Sequence, residues 1–493
     1  MDLGNLGSLA YFWPELVLVA TILVVFVVDL FVEDKERLGD LALAGAGLSL
    51  LAASRQFGGE TGWLFSRMIV LDPFAVFFKV LFALAAIAIV WMSLDSREVR
   101  SFRSQGEYYG LLLTATLGMY LMAAASNLLM AYLSLELLSL VSYVLTGYLR
   151  HDRRSGEAAL KYLIYGGVAS GTMIYGMSWI FGLTGSMDFA AIHAELFSGS
   201  PDRLTAFVAL VLVLAGFGFK IAVVPFHMWA PDVYHGAPIP VTAFLAVASK
   251  AAGFALAIRF FYPVVSEMAG DGTWKFLAGL DWPQLLLVLS MVTMTLGNLA
   301  ALSQQNLKRL LAYSSVAHAG YTLMGLVVLS DEGLRAVLFY LVVYYLMNLG
   351  AFLVVMIVAN ATGREDIDGM RGLAWRGGAA PAVAMSVFLF SLTGIPPLAG
   401  FVGKFYLFAA VVERELYFLA LVGVLNSVVS LYYYARIVKT MFLDFPEAGD
   451  GTVRVGLHSG SLLWGLVAGT VVLGVYWAPV VGLVDRSLRF WIG

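Results

Sequence analysis

The chain has 493 residues, of which 60% are hydrophobic and 13% are charged, and its mean hydropathy is +0.85. One water-soluble core cannot bury that much apolar surface, so the composition predicts an integral membrane protein. The absence of cysteine excludes disulfides, thiolate metal sites and iron–sulfur clusters within this chain. A net charge of -3 without any basic tract argues against nucleic-acid binding.

Hydropathy along the chain predicts fourteen transmembrane segments separated by short charged connections. All of them should be helices, because lipid offers backbone groups no hydrogen-bond partner. The predicted spans are 10–32, 38–53, 73–95, 108–124, 127–149, 156–183, 204–229, 238–262, 283–302, 310–329, 333–361, 381–413, 416–442 and 461–484. This pattern predicts an all-α polytopic membrane protein.

The ends of the chain and the charges of its connections predict an orientation. The first span contains Trp13-Pro14-Glu15 and lacks a basic region followed by a small-residue cleavage site, which predicts a retained helix instead of a signal peptide. If the N-terminus lies outside, the inner connections hold about twice as many Lys and Arg residues as the outer ones. Both termini are therefore expected on the outer, periplasmic side.

The fifth span carries a lone acid, Glu136, in a leucine-rich sequence. Tyr132 four residues before it, and Ser139 and Tyr143 three and seven residues after it, form one polar stripe with it. Such a stripe could hold water beside the carboxylate. The alternative is a buried ion pair that fixes helix packing.

Other ionisable groups lie nearer to the ends of their spans. Lys161 is only a few residues into the sixth span, so both a relay role and snorkelling to the interface stay open. Lys79, Arg259 and Asp29 are expected to anchor span ends. The run Tyr432-Tyr433-Tyr434 is typical of an interfacial aromatic cluster.

The seventh and twelfth spans are interrupted in similar ways. Lys220 precedes Pro225 in the seventh, and Lys404 follows Pro396-Pro397 in the twelfth. Proline frees a helix carbonyl, which membrane depth tolerates only against protein or water. Prolines that merely kink the helices are the simpler alternative, but a lysine near each break favours a wet, functional centre.

The spacing of the two breaks predicts an internal repeat. The interrupted spans are five apart and therefore run in opposite directions, as in inverted repeats. Within a single integral membrane domain, 1–493, the predicted parts are N-terminal helices 1–3 (1–107), a first five-helix repeat (108–262), a second (283–442) and a C-terminal helix (461–493).

Several further ionisable groups lie inside predicted spans. Lys250 is central in the eighth span among small residues, His227 directly follows the first break, and His318 is near the middle of the tenth span. A histidine can pass protons near neutral pH or simply be a packed, hydrogen-bonded residue. An ionisable group at the bilayer centre costs about 2.5–3.5 kcal/mol, so several in one chain predict a charge or proton pathway.

Motifs between about residues 130 and 410 resemble the antiporter-like membrane subunits of respiratory complex I and its relatives. They are Leu135-Glu136-Leu137-Leu138-Ser139, the stretch from Phe219-Lys220 through Pro225-Phe226-His227 to Tyr234, Gly236-Ala237-Pro238, Ser249-Lys250, Asn306 to Ser315 with His318, and Gly394-Ile395-Pro396-Pro397 to Gly403-Lys404. Within that group the chain is most similar to the subunit N (mitochondrial subunit 2) branch. The number of spans, the lysine in the twelfth span and the lack of a long C-terminal lateral helix favour that branch.

The resemblance implies a proton relay. Glu136 and Lys220 would be a coupled pair, Lys250 a central relay and Lys404 the end of the axis. The further candidates for the relay are Lys161, His227 and His318. The chain would then be a proton-translocating subunit of NADH–quinone oxidoreductase in the bacterial inner membrane.

The resemblance also implies the cofactors and the partners. This chain would bind no cofactor, and FMN, iron–sulfur clusters, NADH and quinone would be bound by other subunits. Its partners would be the neighbouring antiporter-like and small membrane subunits and the lipid bilayer. Three alternatives stay open: a subunit of a multisubunit Mrp-type cation/proton antiporter, a subunit of a membrane-bound hydrogenase or ferredoxin-driven complex, and a non-pumping scaffold.

Overall fold

A computed structural model describes residues 4–198, 202–269, 274–277, 281–446 and 451–488. The described chain is mostly helical, with two short antiparallel hairpins in the connections. The prediction of an all-α polytopic membrane protein is confirmed at that level. The last residues of the predicted C-terminal segment, 489–493, lie outside the described residues.

The first part of the chain contains seven α-helices and one hairpin. They are α1 Asn5–Ser8, α2 Trp13–Asp29, α3 Glu36–Ser54, α4 Pro73–Leu94, α5 Arg97–Arg100, α6 Gln105–Ala124 and α7 Leu128–Thr146, with a 3-10 turn at Leu9–Tyr11 and strands β1 Gly62–Leu64 and β2 Ile69–Leu71. The two strands pair with Gly62 opposite Leu71.

The middle part contains the first interruption. Its elements are α8 Arg153–Thr184, α9 Phe189–Ser198, α10 Arg203–Ile221, α11 Trp229–Gly236, α12 Ile239–Phe244, a π-helical turn Leu245–Ser249, α13 Lys250–Val265, and strands β3 Ser266–Met268 and β4 Trp274–Phe276. The segments α12, the π-helical turn and α13 form one continuous helix.

The last part contains the second interruption. Its elements are α14 Trp282–Leu302, α15 Leu307–Val327, α16 Asp331–Thr362, 3-10 turns Asp368–Met370 and Leu373–Trp375, α17 Ala379–Thr393, α18 Ala399–Glu413, α19 Tyr417–Phe442, α20 Leu457–Val475 and α21 Ala478–Ser487.

Within the described residues, nine helices are long and apolar enough to cross a membrane, or up to eleven if two bent pairs each count as one span. Predicted spans 283–302 and 416–442 coincide with α14 and α19. Predicted span 10–32 corresponds to the shorter helix α2, which has 17 residues. The count of fourteen spans stays a prediction.

The helices divide into central and peripheral ones. In the most apolar window of Ile239–Val265 every residue is buried, and in α15 the buried share is 94%, whereas in α19 it is 33%. A helix that is apolar all round is stable only when it is surrounded by protein or lipid. Ionisable side chains on α13 and α15 are therefore shielded from lipid by neighbouring helices.

Helical geometry ends at both interruptions in a similar manner. Helix α10 is capped by Ala222 and α17 by Gly394, both with positive φ, of 60° and 95°. The bonds Val224-Pro225 and Pro396-Pro397 are both cis. The chain then resumes a helix at Trp229 and at Ala399.

Two cations that were expected to anchor span ends are instead buried in ion pairs. Lys79 Nζ lies 2.7 Å from Glu15 Oε1, with side-chain exposures of 2% and 1%. Arg259 contacts Asp72, and its guanidinium also donates to the Ala123 carbonyl. The anchoring prediction is wrong for both, because acids on other helices, which hydropathy does not pair with them, supply their counter-charges. Asp29 does lie at a helix end and pairs with Lys35.

Candidate functional site

The first polar cluster joins α7, α8 and α10 around Lys220. This lysine is in the last turn of α10 and is 1% exposed. Its Nζ donates a hydrogen bond to Ser139 Oγ of α7 at 3.1 Å. One turn before Ser139, the Glu136 carboxylate accepts a hydrogen bond from the Ser170 hydroxyl of α8. Ser139 therefore belongs to the polar stripe and is the group that touches Lys220.

Glu136 and Lys220 interact through space. The Glu136 carboxylate acts electrostatically on Lys220, but in the described part of the chain the two side chains form no direct ion pair. Glu136 itself is only partly buried, on a helix whose outer face exposes Leu133 and Leu140. The two groups are thus charges on neighbouring helices, joined through Ser139 of α7 and not by direct contact.

The interruption after Lys220 is held by side-chain hydrogen bonds. Trp229 Nε1 donates to the Phe219 carbonyl at 3.0 Å, and the Val224 N–H donates to Thr293 Oγ1 of α14 at 3.1 Å. His227 is buried within the break, and its Nδ1 has no hydrogen-bond partner among the described residues. No described hydrogen bond joins His227 to Lys220.

Lys250 lies where the π-helical turn meets α13. Its side chain is 3% exposed, and Nζ donates to the Ser315 carbonyl at 2.8 Å and to Ser315 Oγ at 2.5 Å. One turn further on, Gly253 packs against the Lys220 side chain, since a Cβ there would lie 3.3 Å from Lys220 Cβ and Cγ. This close approach brings the helices of Lys220 and Lys250 together at the level of both lysines.

Buried polar side chains form a row that begins at Lys220 and Lys250 and continues along helix α15. Ser315, His318 and Tyr321 follow one another at intervals of three residues, which places them near one side of the helix. His318 is 3% exposed, and its Nδ1 lies 2.5 Å from Tyr340 Oη while its Nε2 lies 3.4 Å from Tyr434 Oη. The imidazole thus connects α15 with α16 and α19.

Lys404 ends the row. It is 4% exposed, and Nζ donates to the Thr393 carbonyl at 2.9 Å and to Ser427 Oγ at 3.0 Å. The ammonium also lies 4.4 Å from the centroid of the Tyr321 ring, within cation–π distance. Thr393 is the last residue of α17, so the break beside Pro396 and Pro397 supplies the carbonyl that holds Lys404.

The three lysines share one kind of environment. In the described residues their hydrogen-bond partners are neutral hydroxyl and carbonyl oxygens. A contacting carboxylate would bind the ammonium form strongly. Without one, the protonation of each lysine is free to respond to charges farther away, which suits proton transfer better than permanent pairing.

Lys161 lies apart from this row. Its Nζ is 2.7 Å from both Glu157 and Asp232, and its side chain is 38% exposed. Asp232 also pairs with Arg309 at 2.5 Å. Lys161 therefore belongs to a half-exposed network of charges at one end of the bundle.

Sequence reasoning missed most of the hydroxyl-bearing residues that contact the lysines and His318. The missed residues are Ser315, Tyr321, Tyr340, Ser427 and Tyr434. Only the sequence position of Ser315, in a motif near His318, signalled such a role.

The prediction of an interfacial tyrosine cluster is wrong for two of its three members. Tyr433 and Tyr434 are fully buried, and their hydroxyls bond Asn298 and Ser314, whereas Tyr432 is 66% exposed. Successive helical residues point about 100° apart, so a run of three cannot share one face.

The described residues contain no group of three or more His, Asp or Glu side chains that could hold a metal ion. The site consists of single ionisable groups separated by hydroxyls. Its chemistry is that of moving protons or charge between fixed positions.

The family model described as "NADH:quinone oxidoreductase/Mrp antiporter, TM" matches residues 125–430. A relative from Anaeromyxobacter sp. (strain Fw109-5), named NADH-quinone oxidoreductase subunit N, is 47% identical over 99% of this chain and 98% of its own length. A relative from Sorangium cellulosum (strain So ce56), named NADH-quinone oxidoreductase subunit N 2, is 48% identical over the same shares.

Solved structures have the same fold. A chain of respiratory complex I from Thermus thermophilus with bound aureothin is 30% identical, with a TM-score of 0.79, over 96% of this chain and 99% of that one. Chains of an archaeal membrane-bound sulfane sulfur reductase and of the Mrp complex from Dietzia sp. DQ12-45-1b have TM-scores of 0.86 and 0.83 over 97% of each chain. At 22% identity, these last two show the fold alone.

Proposed function

The chain belongs to the NADH:quinone oxidoreductase/Mrp antiporter transmembrane family, and from this premise we propose that it is the subunit N of a bacterial NADH–quinone oxidoreductase. Relatives of that name are 47% and 48% identical over nearly the whole chain, which favours this branch over the Mrp-type antiporter. The subunit translocates protons, while electron transfer from NADH to quinone takes place in other subunits. FMN, iron–sulfur clusters and quinone belong to those partners.

The observation that carries the proposal is the buried row of Lys220, Lys250, His318 and Lys404. Each lysine is 1–4% exposed, and each donates a hydrogen bond to a serine hydroxyl of a neighbouring helix. Burying a charge is costly, and ionisable groups at membrane depth mark ion pathways.

Glu136 controls the proton on Lys220 in this proposal. When the carboxylate is near, it stabilises the ammonium form; when α7 moves away, that stabilisation falls and the proton is released toward Lys250. The proton then passes by Ser315 and His318 to Lys404. A signal from quinone reduction elsewhere in the complex would supply the movement by acting on the charge of Glu136.

We further propose the arrangement of this pathway in the inner membrane. Fourteen spans would place both termini on the periplasmic side, and segments 108–262 and 283–442 would form two inverted repeats. The matching left-handed caps of the two broken helices support that relation. Lys161 and His227, which no described hydrogen bond joins to the row, would serve as secondary relay groups.

The test is to replace Glu136, Lys220 or Lys250 by alanine in the whole complex. Assembly is checked first, and then NADH–quinone activity and proton pumping are measured in sealed vesicles. Loss of pumping in assembled complexes is the expected result, and Lys439→Ala, at an exposed lysine, is the matched control. Undiminished pumping in all three variants would exclude the relay, and pumping that requires Na⁺ without NADH-oxidising partners would indicate the antiporter branch.

A further inference from the structure

A polar cavity lies at the end of the bundle where α5, the start of α12, the start of α15 and the end of α16 meet. Its volume is about 460 Å³, and charged side chains form much of its wall. The lining groups that matter here are Glu98, His235, Lys308 and Glu365. This is the end of the molecule that the distribution of Lys and Arg places on the inner side.

Glu98 connects this cavity to the helix of Lys250. Its Oε2 accepts a hydrogen bond from the Ile239 N–H at 2.8 Å, at the first residue of the helix that continues through the π-helical turn to Lys250. Burial raises the pKa of Glu98 above its ordinary value, although Lys308 and the Ile239 N–H act in the opposite direction. A carboxyl in this position can therefore exchange a proton with water in the cavity more readily than an exposed one.

Lys308 is one of the residues that line the cavity. It is 2% exposed, and Nζ donates to the Ala237 carbonyl at 2.9 Å and to Glu365 Oε1 at 3.0 Å. Lys308 precedes Ser315 by seven residues on α15, so both lie on one side of that helix, about 10 Å apart along its axis. Ser315 is the residue that holds Lys250.

Two buried tyrosines lie beside Ser315, the residue that holds Lys250. The side chains of Tyr234 and Tyr344 are buried, and both hydroxyls lie close to Ser315. Among the described residues, neither hydroxyl forms a hydrogen bond of ordinary geometry. Buried hydroxyls normally have hydrogen-bond partners, so these two hydroxyls beside Ser315 indicate a polar site where a water molecule can bind.

We propose that Glu98 is the carboxyl that loads protons from the inner side, and that this cavity is where they reach the row at Lys250. Glu98 accepts a proton from water in the cavity and becomes neutral. It then releases that proton past Lys308 and the tyrosine hydroxyls to the neutral amine of Lys250 and returns to the carboxylate. The assignment rests on the proposed function, since it names the group that supplies the relay.

The first test is Glu98→Gln in the whole complex, measured as the initial rate of proton pumping in sealed vesicles. Glutamine keeps an oxygen for the Ile239 N–H but cannot carry the proton, so the rate should fall at least about tenfold. Glu98→Asp retains a titratable carboxyl and should recover most of the rate. Glu107→Gln, an exposed acid paired with Arg150 at the same end of the bundle, is the matched control and should pump normally.

A second test uses the absence of cysteine from this chain. Glu98→Cys should pump slowly, and a methanethiosulfonate reagent that attaches a carboxyethyl group from the inner side should restore the rate. A methyl reagent should not, and wild-type complex treated in the same way reports any effect on partner subunits. This test also applies if Glu98→Gln does not assemble.

The outcomes separate the two proposals. A normal pumping rate in Glu98→Gln, or equal losses in Glu98→Gln and Glu98→Asp without rescue by the carboxyethyl group, would overturn the loading role of Glu98. If Lys250→Ala abolishes pumping in the same experiments, the relay itself stands. If Lys250→Ala also pumps normally, the proposed function fails as well.

Discussion

Replacing Glu136 by Gln tests the coupling between its charge and Lys220 directly. The carboxylate lies one helical turn from Ser139, which contacts Lys220 Nζ at 3.1 Å, so the two charges are separated by roughly 6–9 Å. At an effective dielectric constant of about 20, opposite charges at that distance interact by about 2–3 kcal/mol. Gln keeps the oxygen that accepts from Ser170 but removes this energy.

The expected result is a fall of at least about tenfold in proton pumping by assembled complex, because about 2–3 kcal/mol corresponds to roughly a 30- to 150-fold change in an equilibrium. Pumping is measured by quenching of a pH-sensitive dye in sealed vesicles, together with NADH oxidation. Glu107→Gln is the matched control, since Glu107 is an exposed acid that pairs with Arg150 outside the row. Normal pumping by the Glu136→Gln complex would refute the electrostatic coupling, whatever its effect on assembly.

Three other predictions concern the far end of the row, packing and pH. Lys404→Ala should abolish pumping while leaving assembly nearly normal, as measured in purified complex, because its contacts are to neutral oxygens. Arg259→Met should lower the free energy of unfolding by about 3–5 kcal/mol, since it removes the cation that neutralises the buried Asp72 carboxylate, and the double variant with Asp72→Asn should recover part of the thermal stability. Burial acts to raise the pKa of Asp95, but hydrogen bonds, mainly from Ser459, hold it below its ordinary value. The charged Asp95 therefore stabilises the attachment of α20 at pH values above the ordinary carboxyl pKa, and this stabilisation is lost as the pH falls through the lowered pKa. Protease cleavage before α20 should increase in acid in the wild type. In Asp95→Asn it should be increased already at neutral pH.

Much of the candidate site could be predicted from single residues of the sequence. Lys220, Lys250 and Lys404 stand out because lipid penalises an ionisable group wherever it is placed, and that penalty is visible in a local window of sequence. The prolines of the two interruptions are equally visible, because proline removes a helix hydrogen bond whatever surrounds it. Helices such as α14 and α19 were placed to within a few residues for the same reason.

The hydrogen-bond and ion-pair partners of those residues could not be predicted from the sequence. Lys250 binds Ser315, which lies 65 residues away, and Lys79 pairs with Glu15 of another helix. Hydropathy predicts that a segment crosses the membrane, but it does not predict which helices pack against that segment or how the segment is rotated about its axis. The same limit explains Tyr434, whose sequence neighbours suggested an interface and whose helix turns it inward onto Ser314.

The sequence alone determined that this is a polytopic helical membrane protein with costly charges beside two broken helices, because solvation by lipid acts on each segment separately. Only the tertiary structure decided that these charges form one row and that Lys220 binds Ser139, one helical turn from Glu136. It also decided that Glu98, a residue in a connection, reaches the start of the Lys250 helix. Such contacts depend on how the helices pack and rotate against one another, which no single segment encodes.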